Sequence, residues 1–150
     1  MKFSRENVRD ALNDMIPLMV NHWREIAPHK DILLEPDFKA YEALEDADTL
    51  RVYTARTDEN ILAGYAVFFV HGHLHHKQSK TAVQDLLYID PWERGFGVGF
   101  MRWCDEELRA EGVQVVYHSV TGGMNFSPIL EKIGYELSSL VYSRRLDNHG

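Results

Sequence analysis

Tyr88-Ile89-Asp90-Pro91-Trp92-Glu93-Arg94-Gly95-Phe96-Gly97-Val98-Gly99-Phe100 leads an apolar run into three alternating glycines and then into an amphipathic helical pattern. Glycines at 95, 97 and 99 let successive backbone N–H groups turn toward one point with no Cβ in the way. The positive dipole end of the helix that begins there faces the same point. A phosphate or pyrophosphate is the expected guest. The two commonest phosphate loops do not fit. A dinucleotide fingerprint, G-x-G-x-x-G, begun at Gly95 requires glycine where Phe100 stands, and begun at Gly97 requires it at Arg102. A Walker loop requires G-K-[ST], and here Gly99 is followed by Phe100 and Met101.

A second group of residues with chemical potential is His71, His73, His75 and His76. Alternation puts the first three on one face of a strand, yet same-face neighbours stand about 6.8 Å apart along it, an awkward spacing for three ligands on one ion. No cysteine or carboxylate spacing accompanies them, so the expectation is no metal and a polar hairpin that is solvated or faces an acceptor. The single cysteine, Cys104, falls in the apolar stripe after the glycines and reads as a packed thiol.

The elements that must position these residues follow from periodicity. Val8, Leu12, Met15, Ile16, Met19, Trp23 and Ile26 recur at intervals of three and four, which predicts a helix from about Ser4 to Ala27, kinked or divided at Pro17. A loop over 29–35 carries Ile32, Leu33 and Leu34, and Pro36-Asp37 opens a short helix with Phe38, Tyr41 and Leu44 inward. The period then changes to two. Strands are predicted from Leu50 to about Ala55, from Ile61 to about His73 with Gly64 marking a bulge, and from Thr81 to Ile89, with a polar tip at 77–80. Leu86 to Ile89 is apolar on both faces and reads as a central, doubly covered strand. A helix then runs to Gly112, a strand from Val113 to Val120, a short helix N-capped by Ser127 and closed by Gly134, and a last strand or strand pair from Tyr135 to Leu146.

The totals describe one domain spanning residues 1–150. Of 150 residues, 45% are hydrophobic and 26% charged, enough for a sizeable core. A formal charge of −7 without any Lys/Arg run argues against a nucleic-acid surface. The polar start and the lack of an apolar run near the roughly 20 residues of a membrane span predict a soluble, cytoplasmic protein with no membrane partner.

What fits the glycines is Arg94-x-x-Gly97-x-Gly99, which resembles the R/Q-x-x-G-x-G/A signature of the GCN5-related N-acetyltransferase (GNAT) family. The segment from Asp85 to Gly99 carries the closest likeness. Phe126-Ser-Pro-Ile-Leu-Glu-Lys-Ile-Gly-Tyr135 is similar to the family's short helix ending in E-K-x-G-[FY], and these late residues also look like a subset often encoded by bacteriophages. The likeness covers at least residues 50–146. It implies a mixed α/β fold with a mainly antiparallel central sheet flanked by helices, in which a splayed strand pair forms the acetyl-coenzyme A cleft.

The implied activity is transfer of acetyl from acetyl-coenzyme A to a primary amine, by direct attack in a ternary complex. The resemblance puts Arg94, Gly95, Phe96, Gly97, Val98 and Gly99 on the pyrophosphate. It puts the backbone of Leu87 and Ile89 beside the pantetheine arm, and an N–H near Leu87 or Tyr88 toward the thioester oxygen. Two residues qualify as proton acceptor: Asp85, directly or through water, and His118, whose unperturbed pKa of about 6.5 suits base work. The family's usual proton donor for the thiolate, a tyrosine before the E-K pair, is replaced by Leu130. Ser127, or a water held by Asn125, is the expected substitute, with Tyr88, Tyr117 and Tyr142 as further hydroxyls.

The acceptor groove implied by this architecture is bordered by residues 29–35, 71–80 and 122–124. Asp31, Glu35 and Asp37 at one rim favour a cationic acceptor, whether a small amine, a lysine or a protein N-terminus. Two other readings stand beside this one: an acetyl-coenzyme A-binding module with little catalysis, and a host-interaction protein using the histidine hairpin and Ile32, Leu33 and Leu34. A homodimer fits the aromatic content.

Overall fold

A computed structural model of the chain describes residues 1–93, 95–121 and 126–147. Its elements run β1 (Lys2–Glu6), α1 (Val8–Ile26), α2 (Phe38–Asp46), β2 (Leu50–Arg56), β3 (Leu62–His73), β4 (His76–Ile89), α3 (Gly97–Ala110), β5 (Val115–Tyr117) and α4 (Ser127–Lys132). The five strands form one sheet in sequence order. Neighbours are antiparallel except β4 and β5, which are parallel.

Alternation along the strands divides the core into two layers. Tyr53, Ala55, Ala66, Phe68 and Val70 pack with Phe100, Met101, Cys104 and Leu108 of α3. Leu50, Val52, Tyr65 and Val67 point the other way, onto Val8, Ala11, Met15 and Met19 of α1. Both faces are therefore covered, and every residue of β2 is buried. Arg51, 1% exposed, is held there by Glu111, whose carboxylate accepts from Nε at 2.9 and 3.0 Å and lies 2.9 Å from Nη2.

Several expectations are corrected. The start of the predicted helix, Ser4 to Glu6, belongs to a strand: Lys2–Glu6 pairs with β2 from Lys2↔Arg56 to Glu6↔Val52. Its inward Phe3 stacks obliquely on Phe100 at 5.3 Å, and Glu6 binds Arg56 at 2.9 and 3.0 Å on the opposite face. Alternation over five residues is too short to stand out beside the long helical stripe that follows. That stripe, buried at Val8, Ala11, Met15, Met19 and His22, carries α1 unbroken through Pro17, which lies on the exposed side. Ile16 is 37% exposed and not core.

At the hairpin, β4 already begins at His76 and the turn is Leu74-His75, because His73 pairs with His76. The segment predicted as polar tip is thus strand. The register shift beside Gly64 lies between Ala55 and Arg56 of β2, so the extra residue is Ala63, next to the predicted position. The strand predicted over 113–120 is ordered into the sheet only at 115–117. Tyr135 to Leu146 forms no strand, and its Leu137, Val141 and Tyr142 are 84–90% exposed. The N-cap of α4 is Phe126, with Ser127 as the first helical residue. No helix among the described residues is long and apolar enough to cross a membrane.

Candidate functional site

The site is organised by β4. Ala82 and Leu87 both face the α3 layer although they are five residues apart, an odd separation that strict alternation forbids. A bulge supplies the missing residue: Val67 pairs with Leu86 and Phe68 with Gln84, leaving Asp85 unpaired between them. The bulge swings Asp85 and Leu86 to the α1–α2 side, where the Tyr41 hydroxyl of α2 donates to Asp85 Oδ2.

At the same point β4 parts from β5. The parallel ladder covers only Thr81↔Val115, Ala82↔Val116 and Val83↔Tyr117. Beyond it a side-chain bond spans the opening gap, between His118 Nδ1 and Gln84 Oε1 at 2.7 Å. The splay leaves the β5-facing edge of residues 84–89 without a ladder among the described residues, which suits a guest that pairs as an extra strand.

A cavity of about 570 Å³ opens at the splay. Gln84 to Leu87 form one wall, Ser119, Thr121 and Phe126 another, and Met19, Trp23 and residues 32–34 a third, with Tyr41 behind Asp85. Burial pushes the Asp85 carboxyl above its ordinary value, and the Tyr41 bond offsets part of that rise. Burial and the Asp85 carboxylate together push the Tyr41 hydroxyl up as well.

His118 is set apart from this cavity. It lies against a smaller hollow with Ser127, Leu130 and Tyr135, edge-on to Phe68 at 5.5 Å and to Tyr135 at 5.1 Å. Burial draws its pKa down to about 4, so the ring is neutral near pH 7. Its Nδ1–H donates to Gln84 Oε1, and its buried Nε2 has no hydrogen-bond partner among the described residues. Tyr135 donates to Asp105 Oδ1 at 2.7 Å and is not available as a proton donor. Leu130, at the position where the sequence resemblance implies a tyrosine, is buried, with Tyr117 and Ser127 lining the same hollow.

The glycine cradle lies beyond the C-terminal end of β4. Three glycines do three different things there. Gly95 takes φ +87°, a left-handed conformation that costs other residues. Gly97 is where packing is tight: a Cβ would fall 3.1 Å from Ile129 Cδ1 and 3.3 Å from Ile89 Cδ1. Gly99 has only Phe3 at 3.9 Å, so its Cβ would meet no obstacle. α3 begins at Gly97 with Phe96 as N-cap and no side-chain cap, and its first closing bond is Phe100 N–H to Phe96 C=O at 2.8 Å. The amides of Gly97, Val98 and Gly99 are helix-start N–H groups with no acceptor inside the helix, the requirement for holding a pyrophosphate. Phe96 wedges the loop against the sheet over Gly64, where a Cβ would lie 3.1 Å from its ring.

Arg94, Asn125 and the 122–124 segment lie outside the described residues. The hairpin at 71–80 does not border the cavity. From Asp85 to His76 is nine strand steps, about 30 Å, and His76 to Ser79 instead share a shallow depression with Gln114. His73 stacks loosely with His75 and His76 at 5.5 and 5.0 Å. Among the described residues no group of three or more His, Cys, Asp or Glu is arranged to hold a metal ion. Sequence reasoning missed Tyr41, Gln84 and Trp23. Tyr41 was read as one member of an apolar stripe, and nothing local marks its hydroxyl as the partner of a residue 44 positions away.

This combination of a bulged, splayed central strand and a glycine turn into a helix defines the acetyltransferase fold of the GNAT type. Among solved structures that share it are a ribosomal-protein-alanine N-acetyltransferase from Brucella melitensis biovar Abortus 2308 (TM-score 0.70, 16% identity, 97% of this chain and 99% of that one) and a glucosamine-6-phosphate N-acetyltransferase from Arabidopsis thaliana (0.72, 14%, 97% and 98%). A predicted acetyltransferase from Clostridium acetobutylicum, solved with acetyl-coenzyme A, is similar at TM-score 0.67 and 14% identity over 97% of this chain and 96% of that one. No protein-family model matches the sequence, and no curated protein does.

Proposed function

We propose that this protein is an N-acetyltransferase that moves acetyl from acetyl-coenzyme A to a primary amine in a ternary complex. The observation that carries the reading is the arrangement along β4. A strand edge freed at Gln84 runs toward three helix-start amides, and a bulge turns a carboxylate into the cavity beside that edge.

The amides of Gly97, Val98 and Gly99, with Gly95 and Phe96 shaping the turn and Arg94 adding charge, hold the pyrophosphate. The free edge at Leu87 and Ile89 pairs with the pantetheine arm, and an N–H near Leu87 or Tyr88 faces the thioester oxygen where charge develops. The acceptor nitrogen attacks the thioester carbon; a C–N bond forms, the C–S bond breaks, and the thiolate leaves. The nitrogen's proton passes to Asp85, directly or through one water. Asp85 suits the role because it faces the cavity and burial raises its pKa above the ordinary carboxylate value, while Tyr41 keeps it oriented. His118, set apart from the cavity and bound to Gln84, sets the width of the splay rather than taking the proton. Tyr117 and Ser127, on the hollow around Leu130, are the hydroxyls nearest the family's usual donor position.

Calorimetric titration with acetyl-coenzyme A, beside coenzyme A and NADPH, tests the reading. One saturable site for the two coenzyme A forms and none for NADPH is expected. No binding of acetyl-coenzyme A overturns it.

A further inference from the structure

The cavity at Asp85 differs in chemistry from what a sugar or aminoglycoside requires. Its walls are mainly apolar, supplied by Met19, Trp23, Leu34, Leu86, Leu87 and Phe126, and its mouth by Ile32 and Leu33, which are 53% and 77% exposed. No lysine or arginine is among the described lining residues. The acidic rim expected from the sequence is largely spent within the protein. Arg145 binds Asp31 at 3.0 and 3.1 Å, and Asp37 accepts from Ala40 N–H at 3.0 Å as the N-cap of α2. Lys30 folds back on the end of α1, its ammonium donating to the carbonyls of Trp23 and Arg24 and lying 5.4 Å from the Trp23 ring centre.

What remains is a mainly apolar chamber with a carboxylate at Asp85 and a second, Glu35, in its wall, its other polar groups coming from His22, His29, Tyr41, Gln84, Ser119 and Thr121. On the side formed by Trp23, Leu34 and Leu86 a polyhydroxylated amine would bury hydroxyls against hydrocarbon, and each unpaired polar group costs binding. An ammonium on an apolar body meets the opposite situation: its charge finds Asp85 and its hydrocarbon displaces water from the walls.

Resting on the reading of this site as an acetyltransferase acceptor pocket, we propose that the acceptor is a small amphipathic primary amine, an alkyl- or arylalkylamine, bound with its nitrogen at Asp85 and its apolar body between Trp23 and residues 32–34.

The test is direct binding to the whole protein without coenzyme, followed by NMR chemical-shift titration, so that it is independent of acetyl-coenzyme A. Butylamine, pentylamine, hexylamine, hexanol, phenethylamine, glucosamine, an aminoglycoside and a short peptide beginning with phenylalanine form the panel. Each methylene from butylamine to hexylamine is expected to tighten binding about fourfold, the factor matching ~0.8 kcal/mol per buried CH₂. Hexylamine should bind more tightly than hexanol, and phenethylamine more tightly than either amino sugar.

Affinity independent of chain length, or tighter binding of glucosamine or the aminoglycoside, overturns the proposal. Tighter binding of the peptide than of phenethylamine overturns it in favour of a protein N-terminus. Because Ile32 and Leu33 are exposed, the double change Ile32→Ser/Leu33→Ser spares the core. It should weaken hexylamine roughly tenfold and leave methylamine unchanged; equal effects on both would count against the apolar contact. Loss of acetyl-coenzyme A binding, by contrast, bears only on the acetyltransferase reading.

Discussion

Around the glycine cradle the proposed working surface is backbone. Its shape depends on the missing Cβ of Gly97, the left-handed φ of Gly95 and the unpaired amides of one helix start, all within five consecutive residues. Around the cavity at Asp85 the working surface is side chains, drawn from α1, α2, β4, the segment after α1 and the segment after β5. The first is a local device that packing holds rigid. The second is a meeting place whose chemistry depends on which side chains five distant segments bring. One fold can therefore carry different chambers, and the solved structures that share this architecture at 14–16% identity have names that specify different acceptors.

The sharpest way to break the comparison is to damage one region and ask whether the other notices. Gly97→Glu puts a carboxylate where the pyrophosphate is to bind, and its Cβ presses on Ile129 and Ile89. Acetyl-coenzyme A affinity is expected to fall by more than about 100-fold, while hexylamine still binds. Calorimetry with both ligands reads the outcome, with a thermal melt to show that the variant is folded. Loss of amine binding as well, in a folded variant, would mean that the two regions are one cooperative unit.

Asp85→Asn is the complementary lesion, with an expected loss of about 10²-fold in kcat and unchanged acetyl-coenzyme A affinity. If Asp85 takes the proton, the rate of the unaltered protein should fall as pH drops through its raised pKa, because only the ionised form accepts; this acid limb should vanish in the variant. Stability should move the other way. The folded carboxyl has the higher pKa, so its ionisation penalises folding above that value and has no effect below the unfolded value of 3.8. The melting temperature of Asp85→Asn should therefore exceed the parent's at pH 7.5, and the gain should disappear at pH 3. Tyr41→Phe removes the bond that lowers the Asp85 pKa, so its acid limb should shift to higher pH with a smaller loss of kcat.

These two regions were also unequally legible in the sequence. The cradle could be read because glycine at a strand-to-helix turn has a local reason, and residues 95–99 lie where that reason puts them. Asp85 was noticed as a strand carboxylate, but the bulge that aims it shows only as a break in alternation between Ala82 and Leu87, which an apolar run on both faces conceals. Tyr41, Trp23 and Gln84 carry no local mark at all, since the same residue types serve equally well as core or helix surface. β1 was hidden by its shortness. The strand predicted over 135–146 shows the converse failure: its apolar content gives strand propensity, but a strand also needs a neighbour to pair with, and pairing is a tertiary property.

His118 offers a smaller test of the boundary between the two regions, because it joins β5 to β4 where they part. Its folded pKa of about 4 lies below the unfolded value of 6.5. Between those values the unfolded chain binds the extra proton, so stability falls as pH drops from 6.5 to 4, by about 3 kcal/mol at the limit. His118→Gln should flatten that part of the stability curve in urea unfolding at stepped pH. If His118 only spaces the splay, the acid limb of the rate profile stays where Asp85 sets it; a limb that disappears with His118 would instead make this histidine the base.

The least disruptive change is Gly99→Ala, and its small effect is what gives it force. All three glycines look alike in sequence, but only Gly95 and Gly97 have a structural reason to lack a Cβ. At Gly99 a methyl group meets nothing nearer than the Phe3 ring at 3.9 Å, and alanine in a first helical turn gains helix propensity. Acetyl-coenzyme A affinity is expected to stay within about twofold, with stability equal or slightly higher. A marked loss of affinity in a variant that melts normally would mean that the coenzyme's phosphates approach the backbone at Gly99 more closely than at Gly97. The contact point of the anion would then lie one step further into α3, and the free amides of Val98 and Gly99, rather than the tight turn at Gly97, would carry most of the binding.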